Sequence, residues 1–102
     1  VPVLDIEDVE GSERTLRLRG ELDMLTAPGL LERLEPLCGS PGDVVLECAE
    51  LSFVDSQGIR AFLRAARALP QGDLVLAHPT GEVRRLLDIV RVEDFPNTVV
   101  RD

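Results

Sequence analysis

The chain has 102 residues and a net charge of −8, from nineteen acidic and eleven basic side chains, with a hydrophobic share of 44%. That length supports one domain with a single core and is short for the two-lobed enzymes that act on large substrates. The charge repels phosphate backbones and anionic lipid, which argues against nucleic acid or a membrane surface as a partner. All eleven basic residues are Arg, so every mechanism that needs a lysine is excluded: Schiff bases, the P-loop and the receiver-domain lysine.

Residues 3–9 and 15–20, VLDIEDV and TLRLRG, alternate apolar and polar across the turn-rich break EGSER. This predicts an opening antiparallel strand pair, with Leu16 and Leu18 inward and Arg17 and Arg19 outward. TAPGLLERLEPLCG, from Thr26 to Gly39, predicts a helix. Thr26 reads as its N-cap, Pro28 falls in the first turn, Leu30, Leu31, Leu34 and Cys38 share a face, and Gly39 is the stop. Pro36 lacks the N–H that the last turn needs and is expected to end or distort it.

GDVVLECAEL, residues 42–51, has consecutive apolar residues and predicts a strand buried in a sheet covered on both faces. From Ser56, the residues Ile59, Phe62, Leu63, Ala66 and Leu69 fall at the spacing of a core-facing helical stripe. DLVLAH then predicts a strand, TGEVRRLLDIV a helix with Val83, Leu86, Leu87 and Val90 inward, and NTVV a short final strand. The order β β α β α β α β implies a single α/β domain over 1–102. Its sheet is mixed and mainly parallel, with an antiparallel N-terminal strand and helices packed on it.

Cys38 and Cys48 form no CxxC, and His78 is the only histidine. Neither zinc nor a redox pair is expected, and the thiols read as buried in a cytoplasmic protein. No apolar run approaches the roughly 20 residues of a membrane span. The opening VPVLDIEDVEG has no basic n-region of an export signal. Because it starts at Val1 rather than Met, further residues or a sensor domain ahead of it stay open.

In a parallel sheet, function gathers at the carboxyl ends of the strands. Asp23 follows the second predicted strand and Asp55 with Ser56 the third, so these residues are expected to be neighbours. Ser56 has four readings. It can be the N-cap of the helix it begins. It can be the nucleophile of a Gly-x-Ser-x-Gly elbow with His78 as base and Asp73 or another carboxylate as orienter, but Val54 stands where the elbow's first glycine belongs. It can sit beside a hard-cation pocket built on Asp23 and Asp55, which lacks its lysine. Lastly, it can be a phosphorylation target: phosphate there would meet free helix N–H groups, face Asp23 and Asp55, and add about −1.5 to −2 charges to an acidic surface. Gly58, without a side chain, would let a partner approach closely or let the helix pack tightly on a strand.

GELDMLTAPGL at 20–30, LSFVDSQGIRAFLRA at 51–65 and LLDIVRVEDFP at 86–96 together resemble the STAS domain family, and within it the bacterial anti-sigma factor antagonists. The order and spacing cover nearly the whole chain. The sequence departs from the family pattern at Gln57, where a small residue or Thr is usual, and at Val90, where the pattern has glycine. The resemblance implies a protein without catalysis, cofactor or metal of its own. Ser56 would be phosphorylated by an anti-sigma factor that is itself a serine kinase and uses the ATP, and a phosphoserine phosphatase would restore the free form. The unphosphorylated protein would bind the anti-sigma factor and free a sigma factor. Asp23, Asp55, Ser56, Gln57, Gly58, Arg60 and Arg64 would form the binding surface. Gln57, Arg60, Arg64 and Arg67 share one helix face, opposite the apolar stripe, and could dock an acidic rim on the partner or simply be solvated. The alternative is a scaffold subunit of a stressosome or of a lipid or anion transport complex, never phosphorylated.

Overall fold

The computed structural model describes residues 3–12 and 14–102. Strands β1 (Leu4–Asp8) and β2 (Thr15–Leu22) pair antiparallel, Leu4 opposite Gly20 and Asp8 opposite Leu16. Of the break between them, Glu13 lies outside the described residues, as do Val1 and Pro2. The alternation resolves as expected: Leu16, Leu18 and Leu22 are buried, while Arg17 and Arg19 point to the opposite face. There Arg17 pairs with Glu7, and Arg19 with Glu7 and Glu50. The hydrogen bond and charge of Glu50 hold the Arg19 guanidinium above its ordinary pKa.

The rest of the chain runs α1 (Ala27–Cys38), β3 (Val44–Val54), α2 (Ser56–Ala68), β4 (Leu74–Ala77), α3 (Gly81–Ile89), a 3-10 turn at Val92–Asp94 and β5 (Thr98–Arg101). The sheet order is β1-β2-β3-β4-β5, with every pair from β2 to β5 parallel. Each parallel connection carries a helix. Because the order never reverses, right-handed crossovers put all three helices on one face of the sheet.

This corrects the expectation of a sheet covered on both faces. On β3, Val44, Leu46, Cys48, Leu51 and Val54 are buried, but Val45 and Glu47 are only half-buried and Glu50, Ser52 and Phe53 are exposed. A sheet without a reversal also has no switch-point crevice of the kind that holds nucleotides in doubly wound folds. Among the described strands only the short β4, flanked by β3 and β5, is buried throughout; Val75 lies between Val45 and Val99 in the ladder.

Strand β3 shifts register against β2 between Arg17 and Arg19 and again between Gly20 and Glu21. Each shift adds a residue on β3, so its inward residues change from alternation to Cys48, Leu51 and Val54. The shifts bring Val54 level with Leu22, which sets the two strand ends side by side. Gly20 is needed at the first of these ends. Its φ is +110°, and a Cβ there would lie 2.2 Å from the Val3 carbonyl oxygen, which accepts from the Glu21 N–H.

Helix α1 runs through Pro36 to Cys38, so the proline does not end it. Pro36 is exposed; on a solvent face the carbonyl that loses its N–H partner can turn to water. Cys38 and Cys48 are free and buried, and burial pushes the Cys48 thiol up to about 12 and raises Cys38 as well. The α3 helix ends at Ile89, with Val90 right-handed and the left-handed turn displaced to Arg91 at φ 55°. The chain therefore turns one residue beyond the position where the family pattern has glycine.

Candidate functional site

The site begins where β2 and β3 end. The Asp55 N–H donates to the Leu22 carbonyl at 3.1 Å, extending the ladder by one step, so Asp23 and Asp55 leave the sheet from adjacent strands. Asp23 folds the turn that follows β2. Its Oδ1 accepts from the N–H of Leu25 at 2.9 Å and of Thr26 at 3.1 Å, and its carbonyl accepts from the N–H of Ala27 at 2.8 Å. This leaves Met24 and Leu25 exposed at 67% and 82% at the tip.

Thr26 occupies the N-cap position of α1 but does not cap it through its side chain. Its hydroxyl donates to the Glu21 carbonyl and accepts from the Asp23 N–H, both at 2.9 Å. The threonine therefore braces the turn rather than capping the helix, and α1 starts without a side-chain cap, because the Asp23 carboxylate holds the N–H groups of Leu25 and Thr26 ahead of it.

At the head of α2 the cap is Asp55 rather than Ser56. Asp55 is extended, with φ −110° and ψ −173°, and its Oδ1 accepts from the N–H of Gln57 at 2.9 Å and of Gly58 at 3.0 Å. Its carbonyl accepts the first helical bond, from Ile59, at 3.0 Å. Ser56 is consequently the first helical residue, exposed, and its hydroxyl makes no protein hydrogen bond among the described residues. Its hydroxyl has no structural task in the helix start. The free N–H groups expected to greet a phosphate are another matter, because those of Gln57 and Gly58 are already held by Asp55.

Gly58 is buried. A Cβ on it would lie 2.5 Å from Val54 Cγ2 and 2.9 Å from Leu22 Cγ. The structure supports its close-packing reading: α2 rests on the ends of β2 and β3 there, and Gly58 is buried against Val54 and Leu22. Glycine one turn past the cap thus sets the height at which Ser56 is presented.

Gln57, Arg60, Arg64 and Arg67 are exposed along one side of α2 and line a groove with Met24, Pro28 and Leu31. Sequence periodicity put the arginines on one face. That α1 forms the other bank was not legible, because the packing of two helices depends on the sheet beneath them.

The triad reading fails on geometry. Asp73 and His78 flank opposite ends of β4; a different carboxylate, Glu47 Oε2, does lie 2.9 Å from His78 Nδ1, but Ala77 pairs with Glu47 far back along β3, so Ser56, beyond the end of that strand, is out of reach of the imidazole. Among the described residues no cluster of three or more His, Cys, Asp and Glu could hold a metal ion; Asp23 and Asp55 each hold a backbone turn through Oδ1.

Comparison with known proteins follows the same lines. The STAS domain family model matches residues 4–101. The anti-sigma-B factor antagonist of Bacillus subtilis (strain 168) is 30% identical over 92 residues, covering 86% of this chain and 84% of that protein. The Staphylococcus epidermidis protein of the same name is 34% identical over 83 residues, with 78% and 77% covered. Among solved structures, an anti-sigma factor antagonist from Mycobacterium paratuberculosis superposes with a TM-score of 0.70 at 21% identity, covering 97% of this chain and 86% of the other. The anti-sigma factor antagonist SpoIIAA in its unphosphorylated form gives 0.67 at 19% identity, covering 96% and 87%.

Proposed function

The chain belongs to the STAS domain family, and from that membership we propose that it is an anti-sigma factor antagonist switched by phosphorylation of Ser56. Unphosphorylated, it binds an anti-sigma factor that is a serine kinase, and a sigma factor is released. The kinase transfers the γ-phosphoryl group of ATP to Ser56 Oγ, the hydroxyl proton leaves to a base of the kinase, and ADP departs. A phosphoserine phosphatase reverses the modification. Catalysis and ATP belong to these partners.

The observation that carries this reading is the division of labour between Asp55 and Ser56. Asp55 performs the capping, so the serine hydroxyl stands exposed on a capped helix end, without a hydrogen bond among the described residues. Modifying it does not cost the helix its cap. A phosphate adds about −1.5 to −2 charges beside the carboxylates of Asp23 and Asp55. With the Gln57 and Gly58 N–H groups occupied by Asp55, the phosphate gains little from the helix end and remains a charge presented outward. Partner binding responds while the fold persists. The antagonist names of the curated relatives support the same partner class.

The test is incubation with the serine-kinase anti-sigma factor of the same genome and ATP, followed by mass spectrometry and affinity measurement. Phosphate on Ser56 alone, and loss of the complex as it accumulates, are expected; Ser56→Ala should stay bound. Absence of phosphate on Ser56, or equal affinity of both forms, would leave the domain a constitutive scaffold.

A further inference from the structure

We propose that the groove between α1 and α2 is a second docking element, which receives an acidic amphipathic helix of the same anti-sigma factor. The inference rests on the proposed function for the partner's identity and adds the chemistry of its second contact.

The groove encloses about 580 Å³. Buried or half-buried apolar side chains from both helices line it, Ala27 and Leu31 on α1, Ala61 and Leu63 on α2, and Arg60, Arg64 and Arg67 stand along it. No acidic side chain lines it, although the chain carries nineteen. Elsewhere Arg17, Arg19, Arg33, Arg84, Arg85 and Arg91 each pair with a carboxylate. Arg14 is bound to carbonyls of the turn at 40–43. Among the described residues the three groove arginines have no such partner, and the one other arginine without a carboxylate partner, Arg101, lies at the end of β5, away from the groove. On a chain of net charge −8, a locally acid-free apolar trough edged by unpaired guanidinium groups fits a ligand that is apolar on one side and anionic beside it.

The spacing argues for a helix. Arg60, Arg64 and Arg67 span about 10 Å along α2, two helical turns. A helix laid in the trough can present Glu or Asp at matching intervals while its apolar stripe covers Leu31 and Leu63. The upper end of the groove, at Met24 and Gln57, adjoins Ser56, so one partner can touch both. Its lower end passes Leu63 and Arg67 into a recess shared with Phe95 and Pro96, where Phe95 is 42% exposed. Glu32 and Glu35 flank a neighbouring recess that includes Arg64, yet among the described residues neither is within ion-pair distance of it. They repel an acidic ligand from the α1 side and direct its carboxylates to α2.

Two measurements test the proposal. Affinity for the purified anti-sigma factor is measured for wild type, the Arg64→Glu/Arg67→Glu variant, the Arg64→Gln/Arg67→Gln variant and protein phosphorylated at Ser56, each at low and high salt. The charge reversal should weaken binding about tenfold or more and flatten its salt dependence, with the Gln pair in between. In parallel, amide shifts are mapped with a synthetic amphipathic helix bearing Glu at i, i+4 and i+7 beside a Leu stripe, and with its Lys counterpart. The Glu peptide should shift Ala61, Leu63 and Arg64, and the Lys peptide should not. Wild-type affinity and salt dependence in the reversed variant, or equal response to both peptides, would overturn the groove. If phosphorylation still abolishes that wild-type-like binding, the groove falls while the switch stands. If phosphorylation changes nothing but the reversal weakens binding, the groove stands and the switch falls.

Discussion

Arginines on the open face of the sheet and arginines on α2 live in different circumstances. Arg17 and Arg19 lie across the ladder from carboxylates of β1 and β3 and pair with Glu7 and Glu50. Arg60, Arg64 and Arg67 have no carboxylate within ion-pair reach among the described residues and border a groove. Charge on the sheet face serves the fold, and charge on the helix face is left for something else. On the sheet face, opposite charges on neighbouring strands neutralise each other. On the helix face, the same residue type is held at regular intervals by a helix whose other side is fixed in the core.

That comparison depends on α2 being seated by its buried side, and the strongest way to break it is to lift the seat. Gly58→Val places a branched side chain where a Cβ already meets Val54 and Leu22. Overpacking of this kind costs about 1–3 kcal/mol, and in a domain of this size the melting temperature should fall by about 4 °C or more in a thermal melt followed by circular dichroism. A smaller effect follows from the cap. Asp55→Ala removes the acceptor of the Gln57 and Gly58 N–H groups and should cost about 1 kcal/mol in denaturant titration.

Ser56→Ala, by contrast, should change stability by no more than about 0.5 kcal/mol in the same titration, since the hydroxyl caps nothing. A cost equal to that of Asp55→Ala would return the capping role to the serine. Smallest of all on the fold are the arginines. Arg64→Ala should leave the denaturation midpoint unchanged within about 0.5 kcal/mol and act only on binding. Arg19→Ala should lower the melting temperature slightly, less so as salt rises, because its partners Glu7 and Glu50 are themselves solvent-exposed. A larger stability loss from Arg64→Ala than from Arg19→Ala would erase the contrast between the two faces.

Much of the architecture was legible in the sequence because single elements carry their own periodicity. The TLRLRG alternation and the stripe of Ile59, Phe62, Leu63, Ala66 and Leu69 each point to one buried side, and the structure buries them except Leu63, which is half-buried at the groove. What escaped reading depended on which of two adjacent residues a backbone angle favours, or on a neighbour distant in sequence. Asp55 and Ser56 are both good caps, and only the extended backbone at Asp55 decides between them. The apolar run of β3 reads as two-sided until the strand order is known, which puts every helix on one face, whereas the spacing of Cys48, Leu51 and Val54 was a visible trace of the register shifts against β2. Gly58 could be read as open or as tightly packed, and the answer lies in Leu22, on another strand.

The most direct measurement of the central claim is the affinity of the anti-sigma factor for this protein in two forms, unmodified and stoichiometrically phosphorylated at Ser56, under identical salt. Like charges brought together in an interface cost several kcal/mol, so the phosphorylated form should bind about a hundredfold more weakly or worse, with an unchanged melting temperature. Equal affinities of the two forms would contradict the claim that Ser56 is the switch.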